Sequence, residues 1–110
     1  MNVEELREYI LQKPGVTEGF PFGPDTLVFK VKDKIFLLVG LDALPLQFNV
    51  KCDPGKAIEL REEFPDAVLP GYHMNKQHWN TIIVNGTLSK KQLKEMTDHS
   101  YALVAKIKNS

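Results

Sequence analysis

The sequence predicts an α+β domain with two layers, in which three helices cover one face of an antiparallel sheet. Two observations indicate this fold class. Apolar residues recur at helical spacing in three separate segments, and apolar and polar residues alternate in the segments between them. Short connections between the alternating segments favour antiparallel pairing, because parallel strands need long crossovers. The predicted order is α-β-β-β-α-β-α, with the other face of the sheet left open to solvent.

The first predicted helix begins at a capping-box arrangement of Asn2 and Glu5. Its apolar face consists of Val3, Leu6, Ile10 and Leu11. Pro14-Gly15 ends the helix near Lys13. Residues 14–24 then form a loop, in which we expect Phe20 and Phe22 to fold back onto the core because exposed aromatic side chains are costly.

Three strands follow this loop, with Asp33-Lys34 as the turn between the first two. The apolar side of the sheet is predicted to carry Leu27, Phe29, Val31, Leu46, Phe48 and Val50. The opposite side is predicted to be polar and mildly basic, with Lys30, Lys32, Gln47, Asn49 and Lys51. Rigid strands would therefore present a row of lysines to solvent.

Capping residues also mark the remaining helices. Asp53-Pro54 begins the second helix, which packs Ala57, Leu60, the stem of Arg61 and Phe64 and ends before Pro65. Trp79 to Val84 is the fourth predicted strand. Ser89 and Gln92 form a capping box for the last helix, which is predicted to run about twenty residues. Its buried stripe is predicted to include Leu93, Met96, Ser100, Leu103, Val104 and Ile107.

Length and composition fit one domain over residues 1–110. The chain has 14 basic and 14 acidic residues, and its zero net charge argues against strong non-specific binding to nucleic acid. The charge is uneven, however, because residues 67–110 carry six basic and two acidic side chains. A basic surface is therefore compatible with the neutral total.

The sequence also bears on the compartment. Cys52 is the only cysteine, so no disulfide can form within the chain, and a reducing environment is favoured. The acidic N-terminus does not resemble a signal peptide, and the longest apolar run, Ile35–Val39, is too short to cross a membrane. We expect a cytoplasmic monomer without membrane association and without a cofactor.

The stretch GYHMNKQHWNTI, residues 71–82, concentrates the residue types that carry chemistry. His73 and His78 have no cysteine or carboxylate near them in sequence, and zinc or iron needs three or four ligands, so we expect no metal site. Cys52 has no local partner that would activate it as a nucleophile. We therefore expect neither catalytic residues nor an enzyme.

Two interpretations of this stretch remain open. In the structural one, Asn75 stabilises a turn and Trp79 enters the core, with its indole N–H bonded to a carbonyl. In the binding one, Tyr72 and Trp79 stack on a ligand or base while Lys76 supplies charge.

Four short elements, in this order, carry a likeness to a known family. They are Lys13-Pro14-Gly15, Phe20 to Gly23, Phe29-Lys30-Val31 with Lys34, and the NKxHW element formed by Asn75-Lys76 and His78-Trp79. On these residues, nearly the whole chain resembles the MmcQ/YjbR proteins, which are small bacterial domains. The resemblance implies a CyaY-like, frataxin-type α+β fold. It also implies DNA binding through a double-wing arrangement, and it supplies no catalytic residues.

We combine this resemblance with the open lysine-bearing face. The predicted function is DNA binding by the NKxHW element and the sheet lysines. The candidate binding residues are Lys30, Lys32, Lys34, Lys51, Asn75, Lys76, His78 and Trp79. The alternative is a small-molecule or peptide-binding accessory module without catalysis. Iron handling is not expected, since Glu4, Glu5 and Glu8 form only a thin acidic ridge on the first helix.

Overall fold

The computed structural model describes residues 1–106, which form three helices and one six-stranded antiparallel sheet. The elements are α1 Val3–Leu11, β1 Val16–Gly19, β2 Thr26–Val31, β3 Lys34–Gly40, β4 Gln47–Lys51, α2 Pro54–Glu63, β5 Val68–Pro70, β6 Trp79–Ile83 and α3 Lys90–Ala105. The strand order is β1-β2-β3-β4-β6-β5. The α+β prediction is confirmed, with all three helices packed on one face of the sheet.

The two edge strands were missed by the sequence pattern. β1 has four residues and β5 has three, too few for a period-two pattern to stand out from a loop. β1 pairs with β2, and β5 pairs with β6. Pro70 is tolerated because β5 is an edge strand, where a missing backbone N–H need not break the ladder.

The helix caps lie where the sequence predicts them, but Asn2 and Glu5 form only half of the predicted capping box, because the Glu5 carboxylate pairs with Lys90. The Asn2 side chain accepts a hydrogen bond of 2.9 Å from the Glu5 backbone N–H, and Ser89 and Gln92 form a complete capping box. α3 is shorter than predicted: it ends at Ala105, and Lys106 adopts a left-handed conformation. The predicted burial of Ile107 lies outside the described residues. Across residues 1–106, no helix is both long and apolar enough to cross a membrane.

The core lies between the helices and one side of the sheet. An extra residue in β3, Phe36, shifts the register between β2 and β3, and both Phe36 and Leu37 are fully buried. The Ser100 hydroxyl of α3 accepts a hydrogen bond of 2.8 Å from the Lys51 N–H and donates to the Phe36 carbonyl. The Tyr101 ring contacts the edge of Phe36, so α3 is held against the bulge.

The turn between β2 and β3 lies one residue earlier than predicted. Its two central residues are Lys32 and Asp33, with φ of 52° and 63°. Two consecutive left-handed residues are typical of a tight hairpin turn that matches the twist of its strands. This shift takes Lys32 out of the alternating pattern.

Candidate functional site

The open face is the side of the sheet that points away from the helices. Backbone pairing places Lys30 next to Ile35, and Lys51 next to Trp79, all on this face and all at the same end of the sheet. Since one strand separates β2 from β4, the backbones of Lys30 and Lys51 lie roughly 10 Å apart. Among the strands that the structure describes, these two lysines are the only charged residues whose position in the strand directs them to the open face.

Two predicted site lysines do not belong to this face. Lys32 lies in the hairpin turn, and its Nζ donates a hydrogen bond of 2.8 Å to the Ala105 carbonyl at the end of α3. A lysine there stabilises the negative end of the helix dipole. Lys34 pairs with the inward-facing Val31 and is exposed at the start of β3. The prediction that Lys32 lies on the open face is therefore wrong, because the turn begins one residue earlier.

The NKxHW element is held in place mainly through its backbone. The Asn75 Oδ1 accepts a hydrogen bond of 2.9 Å from the Gln77 N–H, and the Asn75 carbonyl accepts one of 3.0 Å from the Trp79 N–H. The His78 carbonyl accepts from the Cys52 N–H at 2.8 Å, which extends the β4–β6 ladder by one residue. The predicted turn role of Asn75 is confirmed. Lys76 remains exposed, although its Nζ reaches the Gly71 carbonyl at 3.4 Å.

Trp79 does not enter the core, contrary to the structural interpretation of the sequence. It is half-buried on the open face, whereas Asn80 and Ile82 of the same strand point toward the helices. Gly71 packs directly against it: a Cβ at position 71 would lie 2.7 Å from the Trp79 Cβ. A side chain at position 71 would therefore displace the indole.

Arg61 of α2 connects this element to the core, a role that the sequence did not reveal. Its Nε donates to the Asn80 Oδ1 at 2.7 Å, and its Nη2 donates to the Trp79 carbonyl at 3.2 Å and to the Lys76 carbonyl. The sequence contained one indication of this contact. Asn80 is a polar residue two positions before the core residue Ile82, so both side chains point to the same side of the strand. A buried amide at such a position needs a polar partner.

A groove of about 460 Å³ crosses the open face, and we call it the Phe22–Tyr72 groove. Its floor is formed by Thr26, Leu38, Gly40 and Asn49, and its walls by Phe22 on one side and Tyr72, His73 and Met74 on the other. The Phe22 side chain is 65% exposed and Tyr72 is 70% exposed. The prediction that Phe20 and Phe22 fold onto the core is wrong, because the helices already fill that side of the sheet.

One wall of the groove is anchored to the strands beneath it. The Tyr72 N–H donates to the Thr81 Oγ1 at 2.9 Å, and the Thr81 hydroxyl donates to the Asn49 Oδ1 at 2.5 Å. The Tyr72 and His73 rings are in contact, with centroids 4.0 Å apart. The wall therefore presents two adjacent rings from a fixed backbone.

Cys52 and His99 lie on the helix side of the sheet, in a separate pocket between α2 and α3. Burial raises the pKa of the Cys52 thiol, so it is not an activated thiolate. The His99 Nε2 already accepts a hydrogen bond of 3.2 Å from the Asp53 N–H. Throughout residues 1–106, no three His, Cys, Asp or Glu side chains are grouped so that they could hold a metal ion.

Comparison with known proteins identifies relatives over most of the chain. The YjbR family model matches residues 11–103. The uncharacterized protein YbdF of Escherichia coli O157:H7 is 36% identical over 102 residues, which cover 92% of this chain and 82% of YbdF. The uncharacterized protein YjbR of Escherichia coli K12 is 32% identical over 101 residues, covering 92% of this chain and 85% of YjbR.

Solved structures show the same fold. The crystal structure of Deinococcus radiodurans protein DR2400, described with domain DUF419, has a TM-score of 0.92 and 38% identity, covering 99% of this chain and 82% of that one. A crystal structure of a Pseudomonas syringae protein has a TM-score of 0.76 and 27% identity, covering 94% and 99%. The chain belongs to the YjbR family.

Proposed function

We propose that this YjbR-family protein binds DNA through its open face. The observation that carries the proposal is the shared row of Lys30, Lys51 and Trp79 at one end of the sheet. The exposed Lys76 lies just before Trp79 in the chain, at the same end of the sheet. The Phe22–Tyr72 groove opens on the same face.

The charge distribution favours an anionic partner at this surface. Both charged residues that the described strands direct to the open face are lysines, and Lys34 and Lys76 add positive charge at the same end. Glu18 and Asp33 line a hollow with Lys30 and offset part of this charge, but the four lysines outnumber them. Contacts between lysines and phosphates release counterions, so such binding weakens as salt increases. The zero net charge of the whole chain predicts localised binding of modest affinity.

Two exposed rings and one half-buried ring on this face favour unpaired bases over a regular duplex. Phe22, Tyr72 and Trp79 lie on the open face or rim its groove, where an extruded base would find an aromatic surface. Stacking of a base on an aromatic side chain contributes about 1–3 kcal/mol and tolerates any sequence. We therefore expect single-stranded DNA to bind more tightly than a duplex of the same sequence.

Fluorescence anisotropy with labelled single-stranded and duplex oligonucleotides at low and moderate salt tests the proposal. The double variant Lys30→Ala/Lys51→Ala should bind more weakly, and the slope of log affinity against log salt should fall by about two. The matched control is Lys90→Ala/Lys91→Ala, which removes two exposed lysines from the first turn of α3. No anisotropy change at low salt, or equal losses in both double variants, would contradict the proposal.

The groove also supports a second candidate, a small-molecule or peptide ligand held without catalysis. Its volume of about 460 Å³ lies within the range of ligand-binding clefts. This candidate predicts binding that depends on Phe22 and Tyr72 but neither on Lys30 nor on salt. Phe22→Ala alone and the lysine double variant therefore separate the two candidates when affinity is measured at two salt concentrations.

A further inference from the structure

A pocket of about 180 Å³ lies between α2, α3 and the helix-facing side of β4 and β6. Its apolar walls are Val50, Leu60, Phe64, Ile82 and Met96. It is on the opposite side of the sheet from the Phe22–Tyr72 groove, and Lys51 is the one lining residue that it shares with the proposed DNA surface. An apolar cavity of about 150 Å³ is large enough to hold benzene. The pocket therefore has room for a molecule the size of a single six-membered ring.

Asn80 gives this pocket a polar atom without a partner. The residue is 1% exposed and lines the pocket, and its Oδ1 accepts the hydrogen bond from the Arg61 Nε. Its Nδ2 is the one buried side-chain nitrogen or oxygen within residues 1–106 that lacks a hydrogen-bond partner. Flipping the amide does not help, because the guanidinium has only donors and Nδ2 would then face a donor. Arg61 thus fixes Nδ2 as an unused donor.

We propose that the pocket binds a compact neutral molecule, or the neutral end of a larger one, through an oxygen that accepts a hydrogen bond from Asn80 Nδ2. Leaving a buried donor unpaired is costly, so an acceptor that reaches it gains more than the same acceptor would on the surface. The apolar walls would hold the carbon skeleton. The oxygen confers selectivity, because an isostere without it leaves the donor unpaired.

The lining of the pocket argues for a carbonyl, ether or hydroxyl oxygen over an anion. Glu63 and Glu95 line the pocket together with Lys51 and Lys56, so their formal charges cancel. His99 adds no positive charge, because burial lowers the pKa of its imidazole and its Nε2 accepts from the Asp53 N–H. A carboxylate or phosphate would lose its hydration among the apolar walls without a net positive charge to offset that cost, whereas a neutral oxygen loses much less.

Two probes of the same shape test the proposal on the wild-type protein. Cyclohexanone carries the acceptor oxygen, and methylenecyclohexane replaces it with a CH₂ group. In ¹H–¹⁵N correlation spectra, cyclohexanone should produce a saturable shift of the Asn80 side-chain NH₂ signals with millimolar affinity. Methylenecyclohexane should bind about tenfold more weakly, because it leaves Nδ2 unpaired.

Cys52 provides a second readout that requires no variant. It is the only cysteine in the chain, lines the pocket and is 4% exposed. Alkylation by iodoacetamide, followed by mass spectrometry, should slow when cyclohexanone is present and respond less to methylenecyclohexane. Protection should follow the same concentration dependence as the NMR shift.

A pair of matched variants tests the role of the amide. Asn80→Leu keeps a similar volume without the donor and should bind both probes equally. Asn49→Leu makes the same change on the neighbouring strand, on the opposite face of the sheet, and should retain the preference for cyclohexanone. If Asn80→Leu does not fold, the two wild-type measurements still decide the question.

Three results would overturn the proposal. The first is the absence of a saturable shift with cyclohexanone, and the second is equal affinity of the wild-type protein for both probes. The third is a long-lived water at Asn80, seen as a water–NH₂ nuclear Overhauser effect that persists at saturating cyclohexanone. That result would make water, and not a ligand oxygen, the partner of Nδ2.

Discussion

Two hollows of this molecule lie back to back on opposite sides of β4. Asn49 lines the Phe22–Tyr72 groove, while Val50, the next residue along the strand, lines the pocket beneath the helices together with Asn80 of β6. The groove is about 460 Å³ with exposed aromatic walls, and the pocket is about 180 Å³ with a buried amide. Loops flank the groove and helices enclose the pocket, so the groove is suited to a large partner and the pocket to a small one.

Arg61 contacts both the pocket and the NKxHW element of the open face. Its guanidinium bonds the Asn80 amide in the pocket and the Lys76 and Trp79 carbonyls of the NKxHW element. All of these bonds come from one side chain with a fixed planar geometry, which lysine cannot reproduce. The pocket and the NKxHW element of the open face are therefore distinct in chemistry but share one support.

The largest expected effect on stability distinguishes a core residue from a residue of the open face. Phe36→Ala should lower the free energy of unfolding by about 3–5 kcal/mol, because it removes a fully buried ring that packs against Tyr101. Urea denaturation followed by circular dichroism measures this loss. Phe22→Ala, which removes an exposed ring from the groove, should cost much less. Similar losses in the two variants would contradict the assignment of Phe36 to the core and Phe22 to the surface.

The sequence predicted the layered fold because hydrophobic alternation and helix caps are local signals. Ser89 with Gln92, and Asn2 with Glu5, act within one turn of a helix; the first pair forms the complete capping box that was expected, and the second forms the Asn2 half of it. The β1 and β5 edge strands escaped prediction because strands of four and three residues are defined by their partners. The displaced hairpin turn has a similar cause, since either Lys32-Asp33 or Asp33-Lys34 would be an acceptable turn locally.

The second prediction tests whether Arg61 supports both regions. Arg61→Leu should lower the free energy of unfolding by about 2–3 kcal/mol, because it leaves the Asn80 Oδ1 and the Lys76 carbonyl without their donor and removes one of the two donors to the Trp79 carbonyl. The same variant should weaken both DNA binding and cyclohexanone binding. Urea denaturation, anisotropy and NMR titration measure the three effects.

The control for this variant is Arg7→Leu. Arg7 forms an exposed ion pair with Glu18 at 2.7 Å, so its loss should leave both binding reactions unchanged. If Arg61→Leu weakens binding on one side of the sheet only, Arg61 does not support the two regions together.

The third prediction concerns Trp79, which the structural interpretation of the sequence placed in the core. Because the indole is half-buried on the open face, Trp79→Ala should cost about 1–2 kcal/mol, below the usual cost for a core tryptophan. It should weaken DNA binding more than it weakens the fold. A loss of stability as large as that of Phe36→Ala would show that Trp79 acts chiefly as a core residue.

The candidate site was harder to predict than the fold because register and tertiary contacts decide which side chains meet. The alternating pattern correctly placed Lys30 and Lys51 on the same face. The inward orientation of Asn80 could have been inferred from its position two residues before Ile82, but its bond to Arg61 depends on how α2 packs on the sheet. The pocket also joins Cys52, near the middle of the chain, with His99 in the last helix, and no local motif connects them.

The smallest expected effect is a pH dependence that belongs to the pocket and not to the groove. Burial, followed by the charge of Lys56, lowers the pKa of His99 below its ordinary value of 6.5, while Asp53 opposes this change. The folded protein therefore holds His99 neutral, and the unfolded chain takes up the proton more readily. The resulting stability is fully present above pH 6.5 and is lost as pH falls from 6.5 through the folded-state pKa.

His99→Gln isolates this contribution, because glutamine offers the Asp53 N–H an acceptor but does not titrate. The thermal midpoint of the wild-type protein should fall more steeply than that of the variant between pH 7 and about pH 5.5. All other side chains are common to both proteins, so the difference between the two profiles isolates His99. Parallel pH profiles would show that His99 is hydrated in the folded state, and the pocket would then be more open to water than its apolar walls imply.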